Sequence, residues 1–339
     1  MEHPQLVSNT LLVLPIYSLA SNAHLAPLID YATNHTCSRL LILLVSPLFH
    51  PQTGIHPSTH WSDLQRLLSY IYSKVSATAL RHDRVLLRID VLVHGGNDAP
   101  ISGIIDSGVE NVQWGACYVA YECTSVRSCA RGGLLTTPCL LRVVNESLIP
   151  AWIRAHAKSR IPNDLLVPAH AVPANTNELT TTAIGRSKRP RYGVAAMGGT
   201  FDHLHAGHKI LLSMAAWIAE EKLIVGVTGA SAKSFAYAAA GPRFVGVGNS
   251  LSQLTKKGAG DPLLVKKAYR EVLESIDIRI AAVREFLELF KRAVKYDIVP
   301  ITDVYGPTAA DSNIQALIVS RETVSGANAS EFIQISCET

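Results

Sequence analysis

The chain has 339 residues, of which 48% are hydrophobic and 17% charged, enough apolar material for two or three buried cores and too much for a disordered chain. A formal charge of +4, scattered rather than clustered, argues against a nucleic-acid surface, and apolar runs such as LLVLPIY and LLILLV are strand-sized and too short to span a membrane. Glu2 stands where a leader would be basic, and Cys37, Cys117, Cys123, Cys129, Cys139 and Cys337 form no CxxC pair, so neither a secretory signal nor a metal finger is expected and a cytoplasmic protein with reduced thiols is.

Residues 1–172 read as an α/β domain. Residues 11–16 and 40–45 are strand-like apolar runs, 61–75 have helical periodicity, and 85–93 alternate as another strand. Strand and helix therefore alternate, which favours a layered sheet. In the turn SLASNAHLAP, Ser18, Ser21 and Asn22 stand where a helix N-cap is needed; capping is the simpler reading, ligand binding the other. Residues 173–191 are rich in Thr, Asn and Pro and poor in large apolar residues, as a linker is. The basic run at 186–191 reads as solvated linker charge, with a nuclear address as the alternative.

Residues 192–209 read YGVAAMGGTFDHLHAGHK. An apolar strand at 194–197 leads through Gly198 and Gly199 into an amphipathic helix beginning near Gly207 and running through 210–218. A glycine turn brings backbone N–H groups close to a ligand, and the helix points its positive, unpaired N-terminal end at the same place. That combination is a phosphate site. His205 and His208, spaced as HxGH, fall on one face of the first turn, where both imidazoles can donate to phosphate oxygens.

The string GTFDHLHAGH resembles the signature of the HxGH nucleotidylyltransferase superfamily. Together with DIVPITDVYGP at 297–307 and ALIVSRETVSG at 316–326, it is similar to the eukaryotic and archaeal type of phosphopantetheine adenylyltransferase, in a fungal-like monofunctional form. The resemblance covers about 191–326 and implies a doubly wound, mostly parallel Rossmann-like sheet over 192–339, preceded by a separate α/β N-terminal domain. It implies transfer of the adenylyl group of ATP to 4′-phosphopantetheine, with Mg2+ carried on the ATP phosphates and no metal held by the protein. Enzymes of coenzyme A synthesis are the implied partners, with no nucleic acid and no membrane. No GxxxxGK[ST] occurs, so the kinase fused to this activity in some animal proteins is not encoded in these residues.

The resemblance gives His205 and His208 catalytic roles, with Gly198, Gly199, Thr200, Phe201, Asp202 and Gly207 around the nucleotide. It matches LLVKKA at 263–268 to a lysine segment that holds the acceptor phosphate, through Lys266 and Lys267, with Lys233 the alternative just past the strand at 223–227. Between these, 231–262 is an insertion of no clear period, either a surface loop or sequence from a misjudged exon boundary. Arg279 matches a helix position and reads equally as a phosphate contact or as one of the exposed helix charges with Arg284 and Glu288. Asp303, Tyr305 and Gly306 lie on the exit of a strand at 297–301, and Ser320 ends one at 317–320, both facing the crevice beyond the strand ends. Family members then continue through a helix, another strand and a serine-rich turn with a basic residue; here the text reaches EFIQISCET, so the end of the site is expected to be missing or replaced. Two further functions stay open: a cytidylyltransferase acting on an alcohol phosphate, although no RTxGISTT-like segment is found, and an inactive nucleotide-binding homologue.

Overall fold

The computed structural model describes residues 6–16, 18–20, 22–50, 55–95, 116–119, 138–140, 166–168, 192–229, 272–302, 311–320 and 333–337. The chain divides into two compact units, Met1–Pro190 and Arg191–Thr339. Among the described residues no helix is long and apolar enough to cross a membrane.

The first unit is built on β1 (Val7–Pro15), α1 (Ala26–Asn34), β2 (Thr36–Val45), α2 (Trp61–Arg81), β3 (Arg88–His94) and β4 (Ala116–Val119). Its sheet is parallel in the order β3-β2-β1-β4, and a separate antiparallel pair joins β5 (Pro138–Leu140) to β6 (Leu166–Pro168). Residues 40–45 of β2 are all buried, the continuous apolar run expected of a strand covered on both faces. The helical periodicity extends past Val75 to Arg81, because Thr78 and Ala79 continue the buried stripe begun by Trp61, Leu64 and Leu68. The third strand begins at Arg88 rather than Val85, since the chain first turns through Asp83 at φ 56 and leaves Val85 and Leu86 exposed. Asn22 does stand ahead of a helical turn, a 3-10 turn over Ala23–Leu25, but its amide donates back to the Leu19 carbonyl and caps nothing. Ser18 Oγ accepts from the Ala20 N–H, and Ser21 lies outside the described residues.

The second unit runs β7 (Tyr192–Gly199), α3 (Ala206–Ile218), β8 (Ala219–Thr228), α4 (Ile276–Phe290), β9 (Lys295–Ile301), β10 (Ala316–Ser320) and β11 (Ile333–Cys337). Its five strands are parallel in the order β11-β10-β7-β8-β9, the doubly wound Rossmann-like arrangement expected from the sequence. The order reverses between β7 and β10, so the crevice where ligands collect lies beyond Gly199 and Ser320. The terminal stretch supplies a further strand, β11, registered residue for residue on β10 from Ala316↔Ile333 to Ser320↔Cys337.

Among the described residues, a cation just past α2 secures the end of α1, and one just past α4 secures the end of α3. Arg84 donates to the carbonyls of Thr33, Asn34 and Thr36 at the end of α1, at 2.7, 3.0 and 2.6 Å. Lys291 donates to the carbonyls of Ala216, Trp217 and Ala219 at the end of α3, at 3.1, 3.5 and 2.8 Å, while Tyr296 donates its hydroxyl to the Lys291 carbonyl. Carbonyls at the end of a helix run short of N–H partners, and the negative end of the helix favours a cation. Lys291→Ala is expected to destabilise the second unit by about 1.5–3 kcal/mol, the range for a hydrogen-bonded charge removed from partly buried acceptors. A urea unfolding midpoint equal to wild type would rule the cap out as a stabilising contact.

Candidate functional site

The loop between β7 and α3 is bent at two residues that are not glycine. Phe201 (φ 51) and His203 (φ 42) both occupy the left-handed region, a cost of order 1–3 kcal/mol each that surrounding contacts must enforce. Phe201 is held by burial: its ring lies where a Cβ on Gly199 would approach within 3.0 Å. That close approach is why position 199 is glycine.

Rings from the loop and the first turn of α3 lie in contact, Phe201 tilted at 59° to His208 and His208 stacked on His205. Phe201 packs on His208 with ring centroids 5.4 Å apart, and His208 lies against His205 at 3.8 Å and an interplanar angle of 24°. Gly207 leaves the room for this, since a Cβ there would stand 3.2 Å from the His205 ring. His205 is the N-cap of α3, in an extended conformation, and its side chain makes no capping bond. The first helical bond is Lys209 N–H to the His205 carbonyl at 3.0 Å, so the helix end faces the crevice without a side-chain cap and is suited to an anion.

Arg279 is the largest fully buried side chain in the described structure, at 2% exposure. It is not an exposed helix charge. Its Nη1 donates to the carbonyls of Thr200 (2.7 Å) and Thr228 (2.8 Å), and its Nε donates to the carbonyl of Glu274 (3.0 Å). A single guanidinium therefore ties the exit of β7, the exit of β8 and the segment leading into α4. Arg284 and Glu288 do form the exposed helix pair, at 3.8 Å. Thr228 donates its hydroxyl to that of Thr200 at 3.2 Å, which adds a second tie between the two strand exits.

Asp202 and His203 are joined to the same segment by reciprocal bonds. The Glu274 N–H donates to Asp202 Oδ1 at 2.9 Å, and the His203 N–H donates to Glu274 Oε2 at 2.8 Å. The His203 ring bonds the Val272 carbonyl through Nε2 at 3.0 Å and lies 3.6 Å from Glu274 Oε1 through Nδ1. Single ligand atoms of Asp202, His203 and Glu274 lie within 4.8 Å of one another, but both carboxylates already hold backbone N–H groups. One imidazole with two committed carboxylates is a poor match to magnesium, which prefers oxygen ligands in an octahedron.

The structure thus gathers Gly198, Gly199, Thr200, Phe201, Asp202, His205, Gly207 and His208 at one strand exit and helix start, with Arg279 beneath them and Ser320 ending the neighbouring strand. Lys233, Lys266, Lys267, Asp303, Tyr305 and Gly306 lie outside the described residues, as do the insertion at 231–262 and the linker at 173–191. His203 and Glu274 are additions that the sequence did not single out. No local pattern marks them, because the bond between them spans 71 positions.

Neighbouring histidines are pushed in opposite directions. Burial holds His205 below the ordinary imidazole range, against the pull of the Asp202 carboxylate. The Val272 carbonyl raises His203, with partial desolvation opposing it and the Asp202 and Glu274 carboxylates reinforcing it. In a histidine-resolved NMR titration of the ligand-free chain, His203 is expected to titrate above about pH 6.5 and His205 below it. Both midpoints on one side of that value would contradict this account of the loop.

Comparison with known proteins points the same way. The cytidylyltransferase-like family matches residues 196–238, a span that begins in β7 and contains the loop and α3. The phosphopantetheine adenylyltransferase of Saccharomyces cerevisiae is 38% identical over 137 residues, 40% of this chain and 35% of the yeast protein. Proteins of the same name from Methanopyrus kandleri and Methanothermobacter thermautotrophicus are 29% and 30% identical over 133 residues, covering 64% and 59% of their lengths. The chain therefore spans about a third of the yeast relative and about three fifths of the archaeal ones. Over some 40% of its length, this chain is similar to proteins named phosphopantetheine adenylyltransferase, and a cytidylyltransferase-like family model matches within that span.

Proposed function

We propose that the second unit transfers the adenylyl group of ATP to 4′-phosphopantetheine, releasing pyrophosphate and forming dephospho-coenzyme A. The observation that carries this reading is the stacked His205–His208 pair at the end of α3 that no side chain caps, on the crevice side of a doubly wound sheet. The names of the relatives supply the acceptor.

The chemistry needs no covalent intermediate. An oxygen of the acceptor phosphate forms a bond to the α-phosphorus of ATP, the bond to the β-phosphate bridging oxygen breaks, and the electron pair leaves with pyrophosphate. The protein's part is positioning and charge neutralisation. The N–H groups at the start of α3 face the phosphates, and His208 donates to the α-phosphate as negative charge builds there. His205, stacked on it, orients the phosphate tail. Its depressed proton affinity makes it the neutral, single-donor form near pH 7 in the ligand-free chain.

In the same reading Lys266 or Lys267 neutralises the incoming acceptor phosphate, which otherwise repels ATP. Asp303, Tyr305, Gly306 and Ser320 border either substrate at the strand exits. Magnesium arrives on the ATP phosphates as part of the substrate. A cytoplasmic setting among other enzymes of coenzyme A synthesis belongs to the proposal too.

The test is pyrophosphate release by the purified full chain with magnesium, ATP and 4′-phosphopantetheine, set beside CTP with common alcohol phosphates. Release with the first pair alone is the expected result. Release only with CTP would replace this function by cytidylyl transfer, and silence with both would leave a nucleotide-binding homologue. His208→Ala is expected to lower turnover by about a hundred- to a thousandfold in a folded protein, as loss of one preorganised donor does. Turnover near wild type in that variant would remove His208 from its assigned role.

A further inference from the structure

Residue 274 places all three of its polar groups on the HxGH loop or on its support. Its N–H donates to Asp202, its carbonyl accepts from Arg279, and its carboxylate accepts the His203 N–H. The first two links use the backbone and would survive most substitutions. The third depends on the side chain, and it grips the left-handed residue two positions before His205.

We propose that Glu274 is a positioning residue for the chemistry at His205 and His208: its carboxylate, 2.8 Å from the His203 N–H, fixes the left-handed turn that sets the histidine stack. The loop between Phe201 and His205 is anchored at Phe201, at Asp202, whose Oδ1 accepts the Glu274 N–H, and at His203. The inner anchor is the Phe201 ring, buried beneath Gly199 and against His208. The outer anchor is His203, 62% exposed in its side chain, which packing cannot hold and which is held instead through its N–H and its ring. A non-glycine residue at φ 42 relaxes when the bond that enforces it is removed. With that bond removed, the ring contact to the Val272 carbonyl is left to hold the turn, His205 can shift along the face of His208, and a misplacement of about an ångström in a positioning group costs up to a hundredfold in rate.

Glu274 is not needed for the fold of α4. The N-cap of that helix is Ser275, whose hydroxyl accepts the Ile278 N–H, and Arg279 keeps its bonds to the carbonyls of Thr200, Thr228 and residue 274 whatever side chain stands there. A glutamine would still present a carbonyl oxygen to the His203 N–H. Conservative and truncating variants therefore separate the hydrogen bond from the mere presence of a side chain.

This inference deepens the adenylyl-transfer reading, and only its kinetic arm rests on that reading. Glu274→Ala is expected to lower kcat by about 10- to 100-fold while KM for ATP changes less than about threefold, because the helix-end N–H groups still bind the ground state. Glu274→Gln is expected to stay within about threefold of wild type in both. Independently of turnover, the ring signals of His205 and His208 in the full chain should move in Glu274→Ala and stay in place in Glu274→Gln, with both variants unfolding at wild-type urea concentrations. Unmoved ring signals in Glu274→Ala, or equal effects of the two variants, would overturn the positioning role. Wild-type silence in the pyrophosphate assay, with the ring signals responding as described, would instead overturn adenylyl transfer and leave the latch standing.

Discussion

The second unit depends on one buried cation. Parallel strands deliver their exits to the same edge, but nothing in the strand ladder fixes how the chains run once they leave it. Arg279 does so by donating to the carbonyls of Thr200 and Thr228, one beyond β7 and one ending β8, and to that of Glu274 before α4. Burying a guanidinium is costly unless its donors are satisfied, so the arrangement holds only when all three segments are in place together. Arginine suits this work because its planar fork keeps several donors at fixed angles, which a lysine could not do. The histidine stack, the left-handed turns and the Glu274 bonds are all built on the platform that this contact defines.

The two units share a plan. In each, the second and third strands of the sheet extend to one side of the first, and the fourth pairs on its other side. Among the described residues, Arg84 just past α2 caps α1 and Lys291 just past α4 caps α3. The crevice edges are nevertheless different. The first unit turns into α1 through a 3-10 turn over Ala23–Leu25 and has Leu25 at the N-cap, with Pro27 within the first turn. Neither the double-glycine exit nor the paired histidines of the second unit occur there. A shared scaffold with unlike loops is why a common topology says nothing about a common activity.

Most of the scaffold was legible because parallel strands and their covering helices are written in contiguous apolar patterns. Residues 40–45 could hardly be anything but a covered strand, and the stripe from Trp61 through Val75 could hardly be anything but a helix. The difference lies at an element end, where Arg84 and Asp83 turn the chain before β3, while EFIQISCET, polar at one end and short, gives little sign of the parallel strand within it. The site shows the same division. GGTFDHLHAGH is legible since glycine, ring and imidazole are neighbours in the chain as well as in space. Of the two readings open for Arg279, the exposed one fails because a charged residue on a helix normally faces water, whereas its reason for burial lies in carbonyls 51 and 79 positions away. Glu274 carried no signal at all.

The opposite shifts of His203 and His205 follow from where each ring sits rather than from the charges around them, since Asp202 raises both. A proton on His203 strengthens its hold on the Val272 carbonyl and the two carboxylates. That contribution is complete below about pH 6.5 and fades as pH rises through the raised value. Protonating His205 opposes burial, a penalty absent above about pH 6.5 that grows as pH falls toward the lowered value. Acidification therefore tightens the outer anchor of the loop while straining the stack it supports. Near neutral pH the loop therefore holds together without a proton on His205.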